Sequence, residues 1–343
     1  MVLPRSACQQ SGWRCILVCP CLLKKSFLDR HALDEVGQDM IDDLQRKKTI
    51  KSWLLLILLA LIWGSSFILI KKGLLVFSAG EVGAYRIVSA ALVLLPLSLT
   101  RIKRLSKRQI RNLIVAGLVG SFFPAFLFAK AQTQLNSSLT GVLNALTPLF
   151  VVLIGALCFH ARITKRNAIG LFIAFVGVLI LISIRHGGAL GSFDEINGYV
   201  FYVLLATLLY GINLNIIKYW FVSLKPVEIT AISLLMVLPV ALIYLLAGTS
   251  FSYKLMHHEG ALEAVGYLSI LGVLGTALAL IIFNNLVKLV TPVFASSVTY
   301  LVPIIAVIWG VMDGEILEEA HYLGMLAIIL GVWIGNSKNK QNQ

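Results

Sequence analysis

Residues 53–70 read WLLLILLALIWGSSFILI, eighteen positions without a charge. At 1.5 Å per helical residue the run is about 27 Å long, close to the roughly 30 Å of hydrocarbon in a bilayer. A membrane-barrel strand would alternate polar and apolar residues over about ten positions, and this run does not alternate. It is apolar on every side, so as a helix it needs lipid or other apolar helices around it.

Nine further windows of the same kind follow, at residues 82–100, 113–129, 139–159, 168–184, 198–217, 229–247, 264–287, 292–312 and 322–335. Within them the single charged residue is Arg86. The 343 residues are 58% hydrophobic and 13% charged, whereas soluble domains average about 45–50% apolar and about 25% charged. A soluble core could not hide so much apolar surface. The expected fold is an all-α membrane protein of ten transmembrane helices, its partner the lipid bilayer.

The net charge of +13 raises nucleic acid as a partner, since clustered Lys and Arg neutralise phosphates. The positions of the charges point elsewhere. With a cytoplasmic N-terminus, the approach to the first window, the inside connections and the tail carry 18 Lys and Arg against five outside (Lys71, Lys72, Lys130, Arg185, Lys254). That is the positive-inside pattern, and it predicts both termini in the cytoplasm of a bacterial inner membrane, with no nucleic-acid role. Four of the five cysteines fall in the first 21 residues without a partnering Cys or His pair, so neither a disulfide framework nor a metal site is expected. Residues 1–49 form an extension expected to be poorly ordered. Met40 is a natural start, so what precedes it is expected to be dispensable.

The windows repeat. A shift of 147 carries Gly64 onto Gly211, Lys71 onto Lys218, Glu81 onto Glu228 and Ala84 onto Ala231, with Trp63 on Tyr210. A shift of 155 carries Gly117, Gly120 and Pro148 onto Gly272, Gly275 and Pro303, and 154 carries Gly170 and Gly177 onto Gly324 and Gly331. Each half then holds five helices, at residues 50–186 and 197–337, with 338–343 as a cytoplasmic tail. Five is odd, so the second copy enters the membrane from the opposite side. The halves are expected to be inverted repeats with a substrate site between them near the midplane.

These residues carry a resemblance. WGSSFILIKKG (63–73), EVGAYRIVSAALVLLPL (81–97) and ALTPLFVVLIGALCFHARITKRNAIGLFIAFVGVLILIS (145–183) resemble the first EamA repeat of the drug/metabolite transporter superfamily. YLVPIIAVIWGVMDGEILEEAHYLGMLAIILGVWIG (300–335) resembles the end of the second. The resemblance implies ten helices in two inverted repeats. It implies movement of amino acids, drugs or other metabolites, frequently outward. The chain departs from it at residues 159–162, Phe-His-Ala-Arg, where family members often have Gly-Glu-Arg; the second copy keeps Gly314-Glu315.

Candidate site residues follow from chemistry at the midplane. Pro148 and Pro303 cannot donate to the carbonyls of Asn144 and Thr299. This makes the prolines candidate helix-break or gating positions, and Asn144 and Thr299 candidate substrate contacts. Ser66 and its counterpart Asn213 offer hydrogen bonds one turn from the rings of Trp63 and Tyr210, and Tyr300 lies one turn before Pro303; helix-to-helix bonding is the alternative role. Asn284 and Asn285 are weaker candidates. Arg86 is a candidate anion contact, but four residues into its window it is expected to snorkel to the outer interface.

No Gly-Lys dipeptide occurs, so there is no phosphate-binding loop of the Walker type. No window holds Asp or Glu, which favours facilitated transport or exchange over proton coupling. The histidines lie in connections or at helix edges, which speaks against a membrane enzyme. The expected function is therefore a secondary transporter, without cofactor, for a small molecule. A sugar-phosphate or nucleotide-sugar antiporter is the nearest alternative, and a homodimer is compatible with the sequence.

Overall fold

The computed structural model describes residues 20–159, 164–182, 198–290, 295, 298–317 and 319–336. The chain divides into two compact units, Met1–Lys51 and Ser52–Gln343. The first is helical from Pro20. The second holds all the features below.

The elements in order are α1 (Pro20–Leu74), α2 (Ala79–Ile102), α3 (Lys107–Gly117), α4 (Phe123–Ala131), α5 (Ser137–Leu143), α6 (Thr147–Phe159) and α7 (Lys165–Ile182). They continue as α8 (Val200–Trp220), α9 (Pro226–Ala247), α10 (Phe251–His257), α11 (Ala261–Gly272), α12 (Ala279–Leu289), α13 (Val298–Met312) and α14 (Glu319–Asn336). Among the described residues seven helical stretches are long and apolar enough to cross a bilayer, and Leu301–Met312 and Tyr322–Gly331 are shorter apolar helices. The protein is an all-α, multi-pass membrane protein. The small helix α10 falls outside every apolar window because its sequence, FSYKLMH, is mixed.

Polar caps start the spans. The Ser78 hydroxyl accepts the Glu81 N–H at 3.4 Å while the Glu81 carboxylate accepts the Ser78 N–H at 2.7 Å. This reciprocal box satisfies two of the donors a helix start leaves open. Ser106 and Gln109 build the same box on α3. At α9, Glu228 accepts the Lys225 N–H at 3.0 Å, and Pro226 needs no donor in the first turn.

Two long helices are irregular. Leu118–Phe122, between α3 and α4, and Val273–Leu278, between α11 and α12, wind as π turns. The shift of 155 that aligns the glycines carries Leu118 onto Val273. Such turns leave part of the i→i−4 ladder unmade and recur at functional sites. The glycine within each turn permits a close approach. A Cβ on Gly120 would stand 2.1 Å from the Asn213 side chain, and one on Gly275 would stand 2.8 Å from the Ser66 hydroxyl.

Helices α2 and α9 pack along their length, and α7 packs along α14. In the second pair a Cβ on Gly177 would stand 2.8 Å from the Gly324 carbonyl, and one on Gly331 would stand 2.6 Å from the Gly170 carbonyl. Backbone meets backbone reciprocally, as small residues allow in membranes. Outward-facing apolar side chains such as Phe172, Phe201 and Ile243 are exposed, as lipid contact requires.

Candidate functional site

Many of the buried polar side chains, among them Ser66, Arg86, Asn144, Thr230, Ser233, Thr276 and Asn284, line one cavity. It is lined by residues of α1, α2, α3, α4, α8, α9 and α12, by both π turns, and by Asn144, Thr147, Val298 and Thr299. The space open to water centres is about 100 Å³. One water needs roughly 10–15 Å³ of this kind of volume, so the cavity exceeds a packing defect.

Six of the candidate substrate contacts meet there: Trp63, Ser66, Asn144, Tyr210, Asn213 and Thr299. Arg86 meets them too. The Tyr300 side chain lies outside the described residues. Pro148 and Pro303 do not line the cavity. Pro148 stands in the first turn of α6 behind a 3₁₀ turn, Asn144–Leu146, and Pro303 lies inside α13.

Aromatic rings stand on the cavity wall in two pairs. Trp63 packs on Phe283 with ring centroids 5.0 Å apart, and Tyr210 stacks on Phe128 at 5.7 Å. The shift of 147 carries Trp63 onto Tyr210, and 155 carries Phe128 onto Phe283. The Trp63 indole N–H donates to the Gly275 carbonyl of the second π turn at 3.1 Å.

Two expectations need correction. Arg86 does not snorkel: it is 9% exposed, and its Nε donates to the Thr276 hydroxyl at 2.7 Å. Its guanidinium also faces the Tyr210 hydroxyl. The apolar window misplaces it because α2 begins at Ala79, inside a polar cap, so Arg86 is the eighth helical residue and about 10 Å from the helix end. Nor is the Asn144 carbonyl left open by Pro148. The Thr147 hydroxyl donates to it at 2.8 Å.

Of the two weaker candidates, Asn284 lines the wall and donates to the Thr230 hydroxyl at 2.9 Å, while its Oδ1, like that of Asn213, is buried without a hydrogen-bond partner. Asn285 faces away from the cavity and donates to its own helix at Ile281. Thr230, Ser121 and Thr276 are wall groups that carry no signal in the sequence. Ser121 and Thr276 enter the wall because each sits in a π turn beside the aligned glycine.

A second polar group lies where α1 ends, α5 begins and α13 ends. The Glu315 side chain is 2% exposed. It accepts from the Ser137 N–H and hydroxyl at 2.9 and 2.7 Å, from the Ser138 N–H and hydroxyl at 3.1 and 2.6 Å, and from Lys71 at 2.9 Å. Burial pushes the carboxyl pKa up, but the Ser138, Ser137 and Lys71 bonds outweigh it and hold the group below the ordinary 4.5. Asp313 bridges to Lys71 at 2.8 Å and to Lys72 at 2.5 Å, which lowers its pKa as well. In the sequence Glu315 stands out only through the retained Gly314-Glu315. Its partners are remote in the chain, the serines 178 and 177 positions away and Lys71 244.

At the two ends of the α2–α9 pair stand two ion pairs, Glu81 with Lys254 at 2.7 Å and Arg101 with Glu228 at 3.3 Å. Among the described residues no group of three or more His, Cys, Asp or Glu is placed to hold a metal ion.

The chain is similar to known proteins. A family model described as the EamA-like transporter family matches residues 50–183 and again 197–336. The inner membrane transporter YedA of Escherichia coli (strain K12), named as uncharacterized, is 26% identical over 283 residues, 80% of this chain and 87% of its own length. The uncharacterized transporter YyaM of Bacillus subtilis (strain 168) is 30% identical over 143 residues, 40% of this chain and 46% of its own. An uncharacterized transporter of Archaeoglobus fulgidus is 27% identical over 132 residues, 38% of this chain and 47% of its own. One protein of known crystal structure superposes with a TM-score of 0.58 at 16% identity, covering 82% of this chain and 95% of its own; at that identity the likeness concerns the fold. With both halves matched in order, the chain belongs to the EamA-like transporter family and is a membrane transporter.

Proposed function

We propose that the protein is a secondary carrier that moves a small metabolite, amino acid or drug by alternating access, with net movement outward. On this reading ten spanning helices form two inverted repeats, residues 50–186 and 197–337, and both termini face the cytoplasm. Trp63, Ser66, Asn144, Tyr210, Asn213, Thr299 and Tyr300 contact the substrate, Arg86 contacts an anionic group, and Pro148 and Pro303 shape the moving helices.

One observation carries the reading: the cavity wall comes in corresponding pairs. Trp63–Phe283 and Tyr210–Phe128, and the two π turns with their glycines, map onto each other under the same shifts that align the halves. A site built twice from opposite sides is what an exchange of conformations between halves requires. The Glu315–Lys71–Asp313–Lys72 network would then close the outer end, and opening outward breaks it. A phosphate-linked antiporter would call for more than one cation at the site, and among the described residues Arg86 is the only charged one that lines the cavity.

The test is counterflow in liposomes containing the purified protein, with a metabolite panel at two pH values. Saturable, competitor-sensitive exchange supports the carrier. Flux that no unlabelled competitor reduces would identify a channel instead.

A further inference from the structure

Arg86 has no counterpart in the other half. The register that pairs Trp63 with Tyr210, Ser66 with Asn213 and Glu81 with Glu228 carries Arg86 onto Ser233. Ser233 also lines the cavity, is 6% exposed, and donates its hydroxyl to the Thr230 carbonyl at 3.1 Å. Thr276, which holds Arg86, corresponds to Ser121. The same place in the two halves is therefore an arginine–threonine pair on one side and two serines on the other.

The ion pairs at the ends of α2 and α9 fix the geometry. Arg86 lies five residues from Glu81, whose partner Lys254 follows α9, and Ser233 lies five residues from Glu228, whose partner Arg101 is in the last turn of α2. The two positions thus sit at like depths from opposite ends of the packed pair. Around Ser233 the wall offers Thr230 and Asn284, and the open oxygens are Oδ1 of Asn284 and of Asn213. Those are acceptors. They suit an N–H or O–H donor and repel a carboxylate. Arg86, buried beside neutral partners only, lacks a counter-charge that a bound anion would supply.

We propose that Ser233 is a specificity-determining residue that restricts the carrier to substrates with one negatively charged group. That group sits at Arg86, and the other end of the molecule, uncharged or donor-bearing, sits at the Ser233, Thr230 and Asn284 wall. A second carboxylate would be stripped of water where no cation awaits it. The inference rests on the carrier reading and on the register between halves.

The experiment measures ligand-induced thermal stabilisation of the purified full chain in detergent. Its probes are the diamide, the monoamide and the free diacid of succinic, adipic and suberic acids. At each length these share one shape and are neutral, singly negative and doubly negative. Wild type is expected to be stabilised by a monoamide over its diacid and diamide. Arg86→Gln is expected to weaken monoamide binding at least about thirtyfold, the lower end of what loss of a buried charge partner costs. Ser233→Arg is expected to bind a diacid at least about tenfold more tightly than wild type does, and the exchange Arg86→Ser with Ser233→Arg is expected to recover monoamide binding that Arg86→Ser alone loses. Ser233→Lys replaces Ser233→Arg if the latter does not purify folded. Equal stabilisation by amides and acids, no monoamide binding at any length, or no diacid gain in either Ser233 variant would overturn the proposal. Absence of saturable counterflow for any compound would instead sink the carrier reading.

Discussion

Glu315 shows how one side chain can hold three helices. Its two oxygens accept five bonds from α1 and α5, and it follows directly on α13. Because its folded pKa lies below 4.5, the stability it contributes is complete above that pH and is lost as pH falls through the lowered value. Glu315→Gln should destabilise the protein by about 1.5–3 kcal/mol at neutral pH, the range for hydrogen bonds to charged groups. Melting curves from pH 7 to pH 3.5 should show the gap between wild type and variant narrowing at the acid end. A gap constant with pH would mean that the carboxylate charge is not what the serines and Lys71 hold. At this scale the sequence is a poor guide: it displays Gly314-Glu315 but not Ser137, which a separate helix brings to it. The burial of Arg86 is hidden in the sequence for a related reason. Apolar counting starts after the polar cap, so it places the residue too near the helix end, and it says nothing of Thr276, 190 positions on.

Elements were more legible than residues, because the length of an apolar run and the spacing of glycines are written along the chain. The shift of 154 that pairs Gly170 and Gly177 with Gly324 and Gly331 anticipates two matched helices, and α7 and α14 do pack through those glycines. Gly331→Ala places a methyl group 2.4 Å from the Ala174 nitrogen and 2.6 Å from the Gly170 carbonyl, and backbone there cannot rotate away. It should cost about 1–3 kcal/mol by overpacking, read as a lower melting temperature. An alanine at Gly266, where a Cβ meets nothing within 4 Å, is the control and should leave melting nearly unchanged. Equal melting of the two variants would mean that the α7–α14 interface is looser than described. The π turns were not legible at all. An extra residue in a helical turn leaves hydropathy untouched, and only the paired glycines at 117 and 120, and at 272 and 275, hinted that something recurs there.

For the whole molecule, composition alone established the membrane setting, since so apolar a chain has no soluble way to bury its surface. The repeated motifs single out Trp63, Ser66, Tyr210 and Asn213, and all four line the cavity. What the sequence could not supply was the ion network at one end of α1. That network joins Lys71 and Lys72 of α1 to Asp313 beyond α13, and Lys71 to Glu315, so if it closes the outer end as proposed it must part and re-form in each cycle. A cysteine-free background with Lys71→Cys and Asp313→Cys, joined by a reducible cross-linker, tests this most directly. Counterflow in liposomes should be abolished in proportion to the cross-linked fraction and restored by reduction. Undiminished exchange from fully cross-linked protein would contradict alternating access through this end.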